Sequence, residues 1–321
     1  MNILVTGGAG FIGSHLVDRL VGDGHEVVVI DNCATGRDAN LAHLAGSGAL
    51  RFLRGSVMND TLVAAAMAEA DLVYHLAAAV GVHHVIEDPL WMLVTNVHGT
   101  EIVLKRAAER GVRVVLASSS EVYGVSDALP FREDGPRVLG PTWVHRWGYS
   151  TSKALDEHLC FAYALRGLPV SIVRYFNIYG PRMDPAGYGS VIARFLTQAL
   201  AGGPLTIHGD GRQTRCFTYV ADAVEATVRA GTLAAALGEA VNVGSRHEHT
   251  VEALADVVLA VTASTAEKQF VAYEDAFGPG FADTRRRVPD LSKAAALLGW
   301  QAGIGLEEGL RRTLAERVPS G

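Results

Sequence analysis

Thr6-Gly7-Gly8-Ala9-Gly10-Phe11-Ile12-Gly13 follows the apolar run Asn2-Ile3-Leu4-Val5, and this junction settles the fold class. Glycines at 7, 10 and 13 permit a tight turn. They also let backbone N–H groups and the N-terminus of the following helix approach a pyrophosphate. A glycine triad alone is weak evidence. Here Asp31 closes the second apolar run about twenty residues on, where a carboxylate holds the 2′-hydroxyl of an adenosine ribose. Gly7, Gly10, Phe11, Ile12, Gly13 and Asp31 are therefore the first cofactor-binding candidates, and NAD is the expected cofactor. Asp31 would repel the 2′-phosphate of NADP, and Arg37, six residues later, is the cation that could offset that repulsion.

Beyond this turn, short apolar runs alternate with amphipathic stretches. Ile3–Val5, Val27–Ile30, Leu72–His75, Val112–Ala117 and Val170–Arg174 read as strands buried on both faces. Helical patterns lie near 11–22, 60–68, 90–110 and 149–166. This alternation predicts an α/β fold with a doubly wound parallel sheet of the Rossmann type. After about residue 178 the texture changes, with Gly180-Pro181, Asp184-Pro185, Gly202-Gly203-Pro204 and Gly209-Asp210-Gly211 between shorter elements. The expected division is a dinucleotide-binding domain over 1–177, rejoined by parts of 205–245. A smaller C-terminal substrate-binding lobe takes up most of 178–321 and folds onto the sheet's carboxyl edge.

Bulk properties exclude several partners. The 321 residues are 49% hydrophobic and carry a formal net charge of −6, and Arg285-Arg286-Arg287 is the densest basic stretch. That argues against nucleic acid as a main partner. Cys33, Cys160 and Cys216 give neither a disulfide framework nor a metal spacing, so no metal is expected. No apolar run reaches transmembrane length and no leader pattern opens the chain, which predicts a soluble, cytoplasmic protein without a membrane partner.

Chemistry enters at Tyr149-Ser150-Thr151-Ser152-Lys153. Residues four apart on a helix share one face. A tyrosine hydroxyl has a pKa near ~10, and bringing it to ~7 takes roughly 4 kcal/mol of preference for the phenolate. One charge pair at about 4 Å supplies ~1 kcal/mol in water and ~4 near a protein surface. Lys153 with a cationic cofactor ring suffices to make Tyr149 a general base. Upstream, Val112–Ala117 runs into Ser118-Ser119-Ser120-Glu121-Val122-Tyr123-Gly124, at the strand end where such folds present catalytic groups.

Together these segments resemble the extended short-chain dehydrogenase/reductase superfamily, specifically its nucleotide-sugar epimerases, dehydratases and decarboxylases. The resemblance spans nearly the whole chain. It takes in Asp31-Asn32, His75-Leu76-Ala77-Ala78, Arg174-Tyr175-Phe176-Asn177, Tyr179-Gly180-Pro181-Arg182 and Gly209–Arg215 leading into Phe217-Thr218-Tyr219-Val220-Ala221-Asp222. It implies that Tyr149 takes the proton of a sugar 4-hydroxyl held by Ser119 while hydride leaves C4, and that Lys153 holds the nicotinamide ribose. It adds Asn32, Leu76, Ala77, Ala78 and Asn96 to the cofactor contacts, which Tyr149 and Lys153 also make. Ser119, Ser120, Asn177, Arg182 and Arg215 are the implied contacts to a nucleotide sugar, a UDP-sugar first.

The step after C4 oxidation divides this family. In the 4,6-dehydratases an aspartate precedes the glutamate and protonates the departing hydroxyl, whereas here the pair is Ser120-Glu121. Ser-Glu-Val-Tyr-Gly resembles the motif of UDP-glucuronate decarboxylases, although GDP-mannose dehydratases also keep a hydroxyl residue before the glutamate. Three further stretches resemble the decarboxylases: Asp31–Arg37, Arg146-Trp147-Gly148-Tyr149-Ser150, and Arg287-Val288-Pro289-Asp290-Leu291-Ser292-Lys293. The implied catalytic set is Ser119, Glu121, Tyr149, Lys153 and Arg287. Arg287 would hold the C6 carboxylate, and Glu121 would serve orientation and proton handling. The expected reaction is NAD-dependent decarboxylation of UDP-glucuronate to UDP-xylose or the 4-keto pentose. The alternatives are a UDP-glucuronate/hexose 4-epimerase and an NDP-hexose 4,6-dehydratase, and a non-catalytic dinucleotide-binding protein is disfavoured.

Some residues carry weaker expectations. Ser56 stands where relatives place an aspartate against adenine. His83 and His84 could line the sugar pocket, His247 and His249 are expected to face solvent, and Trp143 and Trp147 to pack or to stack on sugar. Asp222 is expected to cap the helix Ala223–Ala230. The helices near 90–110 and 149–166 resemble those that pair two subunits in this family, which predicts a homodimer.

Overall fold

The strands form where the sequence is apolar for several consecutive residues, because helices cover both faces of the sheet they build. A computed structural model describes residues 1–80, 88–184, 190–277 and 284–317. In the first half lie β1 (Asn2–Thr6), β2 (Glu26–Asp31), β3 (Leu50–Arg54), β4 (Leu72–His75), β5 (Arg113–Ser119) and β6 (Val170–Tyr175). Between them run α1 (Phe11–Gly22), α2 (Asp60–Met67), α3 (Pro89–Arg110) and α4 (Gly148–Ala164). The second half adds β7 (Ile178–Tyr179), β8 (Leu205–His208), β9 (Thr214–Cys216), β10 (Thr218–Tyr219), β11 (Ala240–Val243), β12 (Glu248–Thr250), β13 (Lys268–Val271) and β14 (Arg286–Arg287). Its helices are α5 (Val191–Leu200), α6 (Val220–Thr232), α7 (Val251–Thr262), α8 (Tyr273–Phe277), α9 (Ser292–Leu298) and α10 (Leu306–Arg317).

Among the described residues, seven strands form a parallel sheet in the order β11-β6-β5-β4-β1-β2-β3. Chain order reverses between β1 and β4, which opens a crevice at their carboxyl ends. Two apolar layers hold the helices on. Leu16, Val17 and Leu20 of α1 share one layer with Val220, Ala223 and Val224 of α6. Val63 and Met67 of α2, Val103 and Leu104 of α3 and Cys160 of α4 share the other.

β3 and β11 were not apparent from pattern alone. β3 reads Leu50-Arg51-Phe52-Leu53-Arg54 and pairs only with β2, so an edge position tolerates its arginines. β11 comes from the second half and pairs with β6 at the opposite edge. Local chemistry fixes the helix ends. Asp88 accepts from the Trp91 N–H at the start of α3, Pro89 opens that helix, and Gly111 closes it with φ +67°.

The rest of the second half makes small sheets beside the crevice: β12-β9-β14, β13-β8 and β10-β7. In the first of these, Arg287 of β14 sits opposite Arg215 of β9, and His249 of β12 opposes Arg215 from the other side. His249 is thus a half-buried strand residue rather than a solvent-facing turn residue. No described helix is long and apolar enough to cross a membrane.

Candidate active site

The glycine turn is built from backbone. Gly7 has φ +74°, and a Cβ there would come within 2.6 Å of the Ala77 nitrogen. A Cβ at Gly13 would lie 2.1 Å from the Gly7 carbonyl oxygen, so only glycine lets α1 start this close to the turn. Gly10 caps α1 without a side-chain hydrogen bond, and the first turn carries no acidic residue. The N–H groups of Phe11 and Ile12 therefore head an anion-accepting helix end. Asp31 is 8% exposed and is fixed by the N–H groups of Ala9 (2.9 Å) and Cys33 (2.7 Å). Asn32 accepts from the Ala34 N–H at 3.0 Å, and Arg37 pairs with Asp184 at 3.4 Å on the surface. Ser56 closes its own turn by accepting from the Met58 N–H at 3.2 Å.

Leu76-Ala77-Ala78 follow β4 beside this turn, and the Ala77 N–H donates to Thr6 Oγ1 at 3.3 Å. Asn96 lies behind them in α3. Its amide accepts from the Ala79 N–H (2.7 Å) and donates to the Ala79 carbonyl (3.3 Å) and to Ser152 Oγ (3.2 Å). Asn96 thereby ties the cofactor-side loop to α4.

The candidate catalytic groups converge from four segments. At the end of β5, Ser119 Oγ accepts from the Glu121 N–H at 3.2 Å and starts the 3-10 turn Ser120–Tyr123. Ser120 is buried within that turn. Ser119 lies close enough to the Tyr149 hydroxyl to lower its pKa. Glu121 lies between two guanidiniums: Arg287 Nη1 is 2.7 Å from Oε1, and Arg146 Nη1 is 2.8 Å from Oε2. Burial alone would raise the Glu121 carboxyl, but the charges of Arg287 and then Arg146 override it and hold the group well below the usual carboxylate range. Each of its two oxygens is paired with a guanidinium.

Burial, then the Glu121 charge, push the Tyr149 hydroxyl above the ordinary phenol value, and Ser119 opposes them. The Lys153 ammonium is 3.3 Å from Asp156 Oδ2 and shares its charge with that carboxylate.

The substrate-side candidates sit as follows. Asn177 adopts φ +44° and donates to the Cys216 carbonyl at 3.2 Å. Arg215 donates to the carbonyls of Thr214 (2.7 Å) and Thr284 (2.9 Å), next to Arg287 across the β9–β14 pair. Arg182 pairs with Asp18 of α1 at 2.8 Å, on the cofactor helix, and its other terminal nitrogen is buried without a partner. Trp147 is buried against Gly140, whereas Trp143 is 78% exposed. Asp222 does not cap a helix. α6 begins two residues before it, and its carboxylate reaches across to the N–H groups of Gly303 (3.1 Å) and Ile304 (2.9 Å). His83 and His84 lie outside the described residues.

Residues 3–244 match the model of the NAD dependent epimerase/dehydratase family. The chain belongs to that family. It is 41% identical to UDP-N-acetyl-alpha-D-glucosaminuronate decarboxylase of Bacillus cytotoxicus, over 97% of this chain and 96% of that protein. It is 39% identical to UDP-glucuronic acid decarboxylase 1 of Danio rerio, over 97% of this chain and 71% of that one. Among solved structures, UDP-glucuronic acid 4-epimerase from Bacillus cereus in complex with UDP-glucuronic acid and NAD superposes with a TM-score of 0.88. That match is 31% identical and covers 98% of each chain.

The family's cofactor suits the residues present. The uncapped, acid-free start of α1 accepts a pyrophosphate, the glycine turn leaves no Cβ in its way, and Asp31 is fixed where a ribose diol would be bound.

Three parts of this site escaped the sequence reading of a family member. Arg146 had a signal, since it precedes Tyr149 by three residues, about one turn of helix. Asp156 likewise follows Lys153 by three residues on the face of α4 that carries Tyr149. Glu157 and Arg174 form a buried bidentate pair (2.9 and 2.7 Å), and Glu157 also accepts from Ser118 Oγ at 2.5 Å. That pair locks α4 to β5 and β6, and so sets Tyr149 against Ser119. A pairing across strands has no sequence spacing by which to find it.

Proposed function

We propose that the chain is an NAD-dependent decarboxylase of a UDP-linked uronate, with UDP-glucuronate as the leading substrate and its 2-acetamido analogue next. The observation that carries this is the trio Arg146–Glu121–Arg287 beside Ser119 and Tyr149. Two guanidiniums and one carboxylate leave one net positive charge in a buried place. That matches a single carboxylate of the substrate and gives a neutral hexose nothing to neutralise.

Bound NAD supplies a two-electron acceptor for the carbon that carries the 4-hydroxyl. Ser119 holds that hydroxyl and Tyr149 takes its proton, leaving a ketone β to the C6 carboxylate. The C5–C6 bond then breaks and carbon dioxide leaves. The bonding pair moves into an enolate delocalised on the C4 oxygen, and C5 afterwards takes up a proton. Arg287, its Nε buried without a partner, orients the carboxylate so that the C5–C6 bond stands across the carbonyl plane. Glu121, held as an anion, keeps Arg146 and Arg287 apart and prevents them from binding the carboxylate so tightly that it stays. Asn177, Arg215 and the second-half lobe bind the nucleotide diphosphate.

The homodimer belongs to the same proposal. Leu90 and Val94 of α3 and Leu155 and Phe161 of α4 are exposed apolar residues on two helices that pack together.

Mass spectrometry after incubation with NAD and either uronate tests the reaction. The expected product is lighter by carbon dioxide. A product of unchanged mass with inverted C4 would replace decarboxylation by 4-epimerisation, and loss of water from a neutral hexose would replace it by dehydration.

A further inference from the structure

Tyr149, Lys153, Asp156 and Cys160 lie at helical spacings on the buried face of α4. Asp156 is the anomaly in that row. Its side chain is fully buried, and a charge in such a place needs a partner to be tolerated. The partner is Lys153, at 3.3 Å, itself only 3% exposed. The other Asp156 oxygen, Oδ1, is buried without a hydrogen-bond partner among the described residues. Burial raises the Asp156 carboxyl, against which Lys153 and then Thr100 of α3 act, and the Thr100 hydroxyl hydrogen-bonds His75 Nε2 at 3.0 Å. His75 Nδ1 in turn bonds Thr6 Oγ1 at 2.7 Å, at the start of the glycine turn.

We propose that Asp156 is a positioning residue of this active site: its carboxylate fixes the Lys153 ammonium and sets the pH above which Tyr149 can accept a proton. This rests on the reading of Tyr149 as the base. The argument is one of charge allocation. The Glu121 anion raises the Tyr149 hydroxyl more than Asp156 does, but its own two oxygens are taken by Arg146 and Arg287 and not by the lysine. Asp156 is matched by Lys153, the same cation on which the tyrosine depends. Among the described residues, the remaining titratable groups that face this row are not positioned to replace that charge. His75 of β4 is neutral, since burial and then Lys153 push it down to about 3. Glu157 is committed to Arg174, and Cys160 is a thiol held protonated by burial. Asp156 therefore acts as a brake on phenolate formation.

The test reads Tyr149 directly and without substrate. Phenolate absorbance is followed against pH in the NAD-loaded protein, and the same titration of Tyr149→Phe is subtracted. Asp156→Asn keeps the size and an acceptor for Lys153 but removes the charge. It is expected to lower the Tyr149 midpoint by about one pH unit, a roughly tenfold change in phenolate fraction, and to move the acid limb of kcat/KM with it. Should Asp156→Asn fold poorly, Thr100→Val leaves Asp156 in place, weakens its ionised form and shifts the midpoint the same way by a smaller step. A midpoint that stays put or rises in the folded variants would reduce Asp156 to a packing residue. The titration keeps its meaning whichever uronate is turned over, so failure of the substrate assignment does not mimic failure here.

Discussion

The cofactor turn and the proposed uronate site sit at the same sheet edge but are built on opposite plans. The turn uses consecutive residues, and its decisive contacts are backbone, as in the 2.1 Å that a Cβ on Gly13 would leave to the Gly7 carbonyl. The uronate site gathers Ser119, Glu121, Arg146, Tyr149, Lys153 and Arg287, and an ion pair spanning 166 residues closes it. One plan fails when volume is added, the other when charge is removed. Four substitutions put that contrast at risk, and their effects decline in the order given.

Tyr149→Phe removes the proposed proton acceptor and is expected to lower kcat by about 10³, within the range for loss of a general base. Single-turnover NADH absorbance should report it, and a residual rate within tenfold of the parent would mean that another group takes the proton. Arg287→Met leaves Glu121 with one guanidinium and the uronate without its holder. A buried charge that loses its partner costs about 3 kcal/mol, so kcat/KM for the uronate should fall about 10². The dissociation constant for NAD should hold within about twofold by calorimetry. A parallel loss of NAD affinity would show the two regions to be one unit. Gly13→Ala inverts the pattern. The added methyl meets the Gly7 backbone, at a cost of roughly 1–3 kcal/mol, so NAD should bind about tenfold to a hundredfold more weakly. The pH dependence of the uronate step should remain that of the parent protein.

The same contrast explains what the sequence disclosed. The glycine turn, Asp31 and five of the sheet strands were legible because each is a run of neighbours whose period or spacing is itself the structure. β3 was hidden by arginines that an edge permits, and β11 by its distance from the strand it joins. Ser119, Tyr149, Lys153 and Arg287 were legible as motifs, but the charge state of the site was not. Glu121 read alone is an ionisable group for orientation and proton handling, and only the convergence of Arg146 and Arg287 shows which cations hold its charge. Tyr149 and Lys153 read alone are a base and its activator. Burial, the Glu121 charge and Asp156, none of them visible in a four-residue spacing, push the hydroxyl upward.

His75 belongs to both regions, and the smallest predicted effect lies there. Its ring bridges Thr6 of the cofactor turn (2.7 Å) and Thr100 on the way to Asp156 (3.0 Å). Burial, followed by the Lys153 charge, lowers its pKa to about 3, against about 6.5 when unfolded. Between those values the unfolded chain binds a proton that the folded chain refuses. The neutral ring's contribution is therefore intact above about pH 6.5 and is lost progressively as pH falls toward about 3. The loss is at most ~1.4 kcal/mol per pH unit, and other buried groups add to it. His75→Asn keeps an amide able to bond one threonine but does not titrate. Urea unfolding from pH 7 to 4 should give a shallower decline for the variant, at the cost of lower stability at pH 7. Parallel curves would assign the acid sensitivity to the carboxylates of the uronate site. The cofactor turn and the lysine would then be coupled by packing alone, without a shared buried proton site.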